Sequence, residues 1–287
     1  HNVLWLPSWG CNGMSIARLM QVAAAGNIPS GPVWTDPDLA NASYDSVSFS
    51  VAGQDSAPAD LEFNDDGTKL FVLGINDDDV NEYTLSTAYD IASASFVSAK
   101  SVTSSNPYGF FISNDGLKLY VAGLDGIIQQ HSMSAAWDIT TLTYDSVSYN
   151  AQLGSLRDLW IKPDGTKMYL TDGTGHDINE YTLSTAWDVS SASYVQNFSL
   201  SAQDNLPIGV YFNPDGTKFW ICGFLSDTAY EYDLSTAWDL SSSSYSTVSF
   251  SVASQVEFGL GMTFSRNGSK MYVSDNTGDT IYQYSTA

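Results

Sequence analysis

The sequence is poor in the residue types that most often carry chemistry. Only two of its 287 residues are cysteine, Cys11 and Cys222, and only three are histidine, His1, His131 and His176. Two cysteines this far apart leave a single bridge open but build no disulfide framework, and no Cys-x-x-Cys pair marks a zinc site. The histidines are scattered, and there is no Ser-His-Asp arrangement, His-Glu-x-x-His segment or phosphate-binding loop. Basic residues are scarce too: ten Lys plus Arg stand against 32 acids, for a formal net charge of −22. That balance excludes a nucleic-acid partner held through phosphate contacts and speaks against an anionic membrane surface. No apolar run reaches the length of a membrane-spanning helix, so no insertion is expected.

Apolar and aromatic residues, by contrast, are plentiful. At 43% hydrophobic and 13% aromatic, the chain has the material for a large core and is not a disordered segment. The acids, with many Ser, Thr and Asn, suit a solvated surface in salty water, or simply keep a large β surface soluble.

One stretch organises the rest. Asp164-Gly165-Thr166-Lys167-Met168-Tyr169-Leu170 returns with variations from Asp66, Asp115, Asp215 and Asn267. Asp-Gly and Asn-Gly between apolar runs are strong hairpin signals, with positive φ expected at both central positions. The run after each turn is β-branched and aromatic, and reads as a strand. Successive turns lie 49 to 52 residues apart. A period near 50 with several short strands per unit is the signature of a propeller-type array, in which each unit must stack on its neighbours to bury its sheet.

Within each unit the pattern reads as strand a, the turn, strand b, a polar loop, strand c, a Ser-Thr-Ala-Trp-Asp-type loop and strand d. Strand a ends at Phe63, Ile112, Ile161, Phe212 and Phe264, and strand d starts at Phe96, Tyr144, Tyr194 and Tyr245. The last unit stops at Ala287, where Trp-Asp and an outer strand are due. Trp34, Asp36 and the alternating stretch Tyr44 to Val51 supply those pieces. The expectation is an all-β fold: a single five-bladed β-propeller over residues 34–287, closed by an N-terminal strand that completes the last blade and removes the open sheet edges.

Residues 1–33 match no repeat. The chain opens on His1 rather than Met, which reads as a processed, partial or tagged chain. Ile16, Leu19, Met20 and Ala23 form one apolar stripe on a short helix, and Pro29 to Pro32 reads as a linker. Trp5, Trp9, Ile16, Leu19 and Met20 are the candidate assembly residues, packing on the propeller's outside or on another subunit; a homo-oligomer stays open.

The segments Lys162-Pro163-Asp164-Gly165-Thr166-Lys167-Met168-Tyr169 and Asn213-Pro214-Asp215-Gly216-Thr217-Lys218-Phe219-Trp220 resemble the repeat of the YVTN-type β-propeller family, over roughly residues 34–287. The resemblance implies propeller architecture and says little of function, since propellers serve as enzymes, lectins and scaffolds. The Ser-Thr-Ala-Trp-Asp extension, at Ser184 to Asp188 and Ser235 to Asp239, resembles repeats of marine phage and bacterial proteins. Met14 to Gly26 looks like the N-terminus of certain phage virion proteins, with Met14 then a natural start.

The repeated residues invite two readings each. Lys69, Lys118, Lys167, Lys218 and Lys270 form either a ring of positive charge or five pairs with acids on the blades, and repetition in every blade favours the pairs. Trp137, Trp187 and Trp238, with Tyr89, either stack on sugars or anchor the loop between strands c and d; anchoring is favoured. Asp77-Asp78-Asp79 offers oxygen ligands of the kind Ca²⁺ takes, without EF-hand spacing, and a solvated loop is favoured there. No other cofactor is expected.

Asymmetry is confined to few positions. Three residues before the end of strand a stand Asp60, Gly109, Asp158, Gly209 and Gly261. Asp60 and Asp158, with Arg157 alongside, would face the channel mouth, and lactonase-like members of related families use channel-facing carboxylates with a metal. Paired carboxylates also serve glycosidases. Two carboxylates do not specify such chemistry, and binding is the favoured reading. It is expected at the loops from strand d to strand a, near Gln54-Asp55, Arg157-Asp158 and Gln203-Asp204-Asn205. The functional expectation is a non-enzymatic structural or binding module of a virion or cell surface, with virion or surface proteins as partners through residues 1–33. The alternatives are a carbohydrate-binding propeller or adhesin with glycan partners, and a glycosidase- or lactonase-like hydrolase.

Overall fold

Each Asp-Gly or Asn-Gly turn folds back on itself because its glycine takes a left-handed conformation, with φ between 69° and 72° at Gly67, Gly116, Gly165, Gly216 and Gly268. The residue before each glycine does not share it, contrary to the expectation of a two-residue turn with both φ angles positive. Its side chain instead accepts the N–H two residues on, as Asp164 Oδ1 does from Thr166 at 3.0 Å. The loop is therefore longer: Lys162 N donates to Lys167 O across it, and Gly165 N to Lys162 O.

The structure is a computed structural model that describes residues 34–104 and 106–287. The stretch expected to form an N-terminal helix, Cys11, Met14 and the assembly candidates Trp5, Trp9, Ile16, Leu19 and Met20 lie outside the described residues. Strand β1 (Ser43–Ser50) comes first, and four antiparallel meanders follow. Blade 1 contains β2 (Pro58–Phe63), β3 (Lys69–Gly74), β4 (Asp79–Leu85) and β5 (Ala94–Ser101). Blade 2 contains β6 (Pro107–Ile112), β7 (Lys118–Gly123), β8 (Ile127–Met133) and β9 (Leu142–Asn150). Blade 3 contains β10 (Leu156–Ile161), β11 (Lys167–Asp172), β12 (Asp177–Leu183) and β13 (Ala192–Ser199). Blade 4 contains β14 (Pro207–Phe212), β15 (Lys218–Gly223), β16 (Thr228–Leu234) and β17 (Ser243–Ser251). Blade 5 takes β18 (Gly259–Phe264), β19 (Lys270–Asp275) and β20 (Thr280–Ser285), and its fourth strand is β1. The fold is a five-bladed β-propeller.

Closure occurs as the alternating stretch implies: β1 pairs antiparallel with β20, with Tyr44 opposite Tyr284 and Phe49 opposite Ile281. Asp45 fastens the seam by accepting from Lys270 at 2.5 Å, Ser285 at 2.6 Å and Gln283 at 2.9 Å. Asp36 does not play the part expected of it. A 3-10 turn at Leu39–Asn41 is capped by Asp38, as Asp90, Asp138, Asp188 and Asp239 cap the corresponding turns of the other blades. The reason is Leu39, which is buried as are Ile91, Ile139, Val189 and Leu240 and so fixes the capping aspartate two residues on from Asp36. Trp34 still stacks on Tyr211 of blade 4, with ring centroids 5.8 Å apart, and leans on Trp220.

Burial grades outward along each blade. The innermost strands are almost wholly buried, as β14 and β18 show, while the outermost alternate exposed and half-buried residues. The inner strands are flanked by neighbouring blades on both faces, which selects continuous apolar runs; the outer ones face water on one side, which selects alternation with Ser.

The tryptophans anchor loops. Trp137, Trp187 and Trp238 have positive φ, 58°, 66° and 64°, and their rings lie on Gly116, Gly165 and Gly216 of their own hairpins. A Cβ on Gly165 would sit 2.5 Å from the Trp187 Nε1. Their carbonyls then accept from the preceding blade: Tyr120 OH donates to Trp187 O and Tyr169 OH to Trp238 O, each at 2.8 Å. Tyr272 of blade 5 donates likewise to Tyr89 O of blade 1 at 2.5 Å, carrying the same link across the closure.

Candidate functional site

The ring centre is where asymmetric carboxylates and repeated geometry meet, and strand a places them there. Asp60 and Asp158 occupy matching positions in β2 and β10 and line one cavity with Glu62, Trp160 and Tyr211. Each carboxylate holds two main-chain N–H groups. Asp60 Oδ1 accepts from Leu61 at 2.8 Å, and Oδ2 from Phe110 of blade 2 at 3.0 Å. Asp158 Oδ1 accepts from Leu159 at 2.7 Å, and Oδ2 from Val210 of blade 4 at 2.7 Å. Glu62 Oε2 repeats the device one step along, accepting from Ile112 of blade 2 at 2.7 Å.

The glycines beside these acids explain themselves. A Cβ on Gly109 would strike Asp158, and one on Gly261 would strike Asp60. Gly109 and Gly261 thus stand where a side chain would collide with the acid of the following blade, whereas one on Gly209 would meet the main chain at Leu260 and Met262. Both carboxyls are buried and in hydrogen-bonding contact with one another. Loss of hydration raises Asp60 to about 7, against main-chain bonds that pull it down. Burial and the Asp60 charge raise Asp158 well above the ordinary range, so the pair keeps a proton near neutrality. Glu62 retains some surface in the channel, yet burial of its carboxyl lifts it as well. The free space beside these groups is about 10 Å³, roughly one water molecule.

The remaining predicted residues are dispersed. The Arg157 guanidinium lies 4.6 Å from the Tyr108 ring centroid, and its Nε is buried without a partner. Gln203 Oε1 accepts from Tyr232 OH at 3.1 Å, and Asp204 holds Leu206 N at 2.6 Å and Ser226 N at 2.9 Å. Gln54 and Asp55 do the same work for blade 1, with Tyr83 OH 3.2 Å from Gln54 and Ala57 N 2.5 Å from Asp55. These loop residues thus hold the loops themselves; Asn205 is exposed beside them.

The lysines pair with acids on the blades: Lys69 with Glu82 and Lys218 with Glu231 at 2.7 Å, Lys167 with Glu180 and Lys270 with Asp45 at 2.5 Å, and Lys118 with Asp145 at 3.6 Å. In the Asp77-Asp78-Asp79 run, Asp79 binds Asn81 at 2.7 Å, and among the described residues no group of three or more His, Cys, Asp or Glu is arranged to hold a metal ion. Among the described residues Cys222 has no disulfide partner; it is buried, and burial pushes its thiol up to about 12. His131 takes the place of a strand-c tyrosine, and burial lowers its pKa.

A second concavity escaped the sequence reading. It lies where β9 of blade 2 meets β12 and β13 of blade 3, and Tyr149, Tyr181, Tyr194, Asn150, Gln152 and Asn179 line it. Loop length alone does not single it out: Ala151 leads to Leu156 more directly than Val51 leads to Pro58 or Leu200 to Pro207, but Val102 leads to Pro107 over the same distance.

With this geometry in place, comparison with known proteins adds the fold and little else. No family model matches the chain, and no curated protein matches it. Among solved structures, a protein from Bacteroides uniformis that carries a provisional 6-phosphogluconolactonase name matches with a TM-score of 0.50 at 11% identity, over 79% of this chain and 66% of that one. A protein of unknown function from Desulfotomaculum acetoxidans matches with a TM-score of 0.46 at 12% identity, over 76% and 62%. A protein from Lactobacillus plantarum matches with a TM-score of 0.45 at 15% identity, over 76% and 63%. The chain thus spans less than two thirds of the length of each of these structures.

Proposed function

We propose that the chain is a non-catalytic structural and binding propeller of a virion or cell surface. One observation carries the non-catalytic part: Asp60 and Asp158 already hold main-chain N–H groups on two blades each, beside free space for about one water. A general acid or nucleophile must reach its substrate, and no lactone or sugar ring fits there. The carboxylates act instead as clasps between blades. Surface placement draws its support from the net charge of −22 and from outer strands that turn Ser, Thr and Tyr to water. Residues 1–33 would dock the propeller on its assembly; a chain starting at Pro32 is then expected to fold but to lose that association.

The test is a hydrolase screen over lactones, glycosides and esters with added Ca²⁺ or Zn²⁺, with lactones first because of the name one structural neighbour carries. No turnover above background is expected. Turnover that disappears in Asp158→Asn with folding intact would replace this reading with an enzymatic one.

A further inference from the structure

We infer that the groove between blades 2 and 3 binds a neutral sugar ring. This rests on the reading that the chain binds rather than catalyses, and it assigns the binding to a site away from the channel.

The groove exists because one filler is missing. Four of the five junctions between blades bring together a strand-d ring of one blade with a strand-c and a strand-d ring of the next. Phe49, Tyr83 and Phe96 meet in this way, as do Phe198, Tyr232 and Tyr245, and Phe250, Tyr284 and Tyr44. Over two of these triads a loop glutamine closes down: Gln54 accepts the Tyr83 hydroxyl, and Gln203 that of Tyr232. At the junction of blades 2 and 3 the loop after β9, like the one after β5, is two residues shorter than those after β1 and β13, and it bears no glutamine at that place. It rests on the tight β7–β8 turn, where Gly126 takes φ 82° and a Cβ would sit 2.9 Å from Leu153 O. Tyr181 OH then reaches only Ala151 O, at 3.5 Å. A groove of about 360 Å³ opens over the rings, within the range of roughly 300–1,000 Å³ usual for small-molecule sites.

Its chemistry is selective. This triad consists of Tyr149, Tyr181 and Tyr194, with centroids 5.8 Å and 5.7 Å apart in edge-to-face contact. Tyr194 is 53% exposed, so its face and hydroxyl are offered to solvent. Around the rings stand the amides of Asn150, Gln152 and Asn179, and no charged side chain lines the groove, although the chain carries a net charge of −22. Asn150 Oδ1 accepts Gln152 N at 2.8 Å, which fixes the rim and leaves the Asn150 amide N–H groups to donate. Aromatic faces bounded by hydroxyl and amide groups match a pyranose, with one C–H-rich face to stack and a rim of hydroxyls to exchange hydrogen bonds. A phosphorylated or acidic sugar would find no cation there.

The experiment screens the full chain on an array of neutral and acidic glycans and titrates the best neutral ligand by calorimetry. Binding to at least one neutral glycan is expected. Tyr194→Ala removes an exposed ring, and Asn150→Asp keeps the acceptor for Gln152 N while adding charge; each is expected to weaken binding about tenfold or more, equivalent to ~1.4 kcal/mol. Tyr245→Ala, the matching ring of blade 4, and Asp158→Asn are expected to leave affinity unchanged. Failure to bind any neutral glycan, binding of acidic glycans or of phenol and indole alone, or equal losses in Tyr194→Ala and Tyr245→Ala would overturn the inference. None of these outcomes bears on turnover, so the site can fail while the non-catalytic reading stands, and the reverse.

Discussion

Asp158 Oδ2 accepts the N–H of Val210 at 2.7 Å, and that bond joins blade 3 to blade 4 at the centre of the ring. Asp60 makes the matching bond to Phe110 between blades 1 and 2. Truncating either acid strands two buried N–H groups, so Asp158→Ala is expected to cost about 2–5 kcal/mol. Chemical denaturation, with the midpoint read against the wild-type value, checks this.

The same pair sets a pH dependence. Burial raises Asp60 to about 7, whereas an aspartate in the unfolded chain titrates near 3.8. The folded form therefore binds this proton more tightly, and the stability it supplies is complete below about pH 4 and is lost as pH rises through 7. Melting temperature should fall between about pH 4 and 7. Asp158→Asn should flatten that slope, because it removes the second raised carboxyl of the pair, whose ionisation is opposed by burial and by the Asp60 charge. An unchanged slope in the variant would refute the shared proton.

Ring closure depends on β1. Burial opposes the charge of Asp45, but hydrogen bonds from Lys270, Ser285 and Gln283 hold its carboxyl below the ordinary range, so its contribution is present above pH 4 and is lost on further acidification. Asp45→Ala should cost about 1–2 kcal/mol through the lost charge-assisted bonds. Deleting residues 34–52 bares the β20 edge and should yield aggregates rather than monomer on size exclusion.

The tryptophan anchors leave no room on their glycines. Gly165→Ala puts a methyl group against the Trp187 ring at a backbone φ of 72°, and should destabilise by about 1–3 kcal/mol. Gly53→Ala, with nothing within 4 Å of the added carbon, should stay near the wild type in the same thermal melt.

Cys222 should be silent to thiol reagents in the native state, being buried with its pKa pushed up to about 12. In a Cys11→Ser background, labelling should appear only under denaturant; rapid native labelling would mean that blade 4 opens locally.

Much of the architecture was legible because propeller blades are local. The turn at Asp164-Gly165, the strand that follows it and the period near 50 residues are all short-range patterns, and a missing outer strand at Ala287 with a spare one at Tyr44 to Val51 leaves one economical closure. Pairing of the repeated lysines with acids was likewise favoured by repetition alone. What failed was register and filling. Trp34-Thr35-Asp36 mimics the Trp-Asp loop, yet burial of Leu39 decides which aspartate caps it, and that is settled by the space left in blade 5 rather than by the local motif.

The acids at the channel show the same division. The sequence by itself determined that Asp60 and Asp158 share a repeat position and stand among glycines at the others. Only the tertiary structure decided that they meet across the ring, lose their water and clasp neighbouring blades, because both burial and the donors Phe110 and Val210 come from strands distant in the chain. The groove over Tyr149, Tyr181 and Tyr194 is the other case. Each tyrosine obeys the repeat, and a loop shorter than those after β1, β13 and β17, though equal to the one after β5, is plain in the sequence. That the shortening leaves space, and does not simply draw the blades together, follows from rigid sheets on either side whose spacing the whole ring fixes.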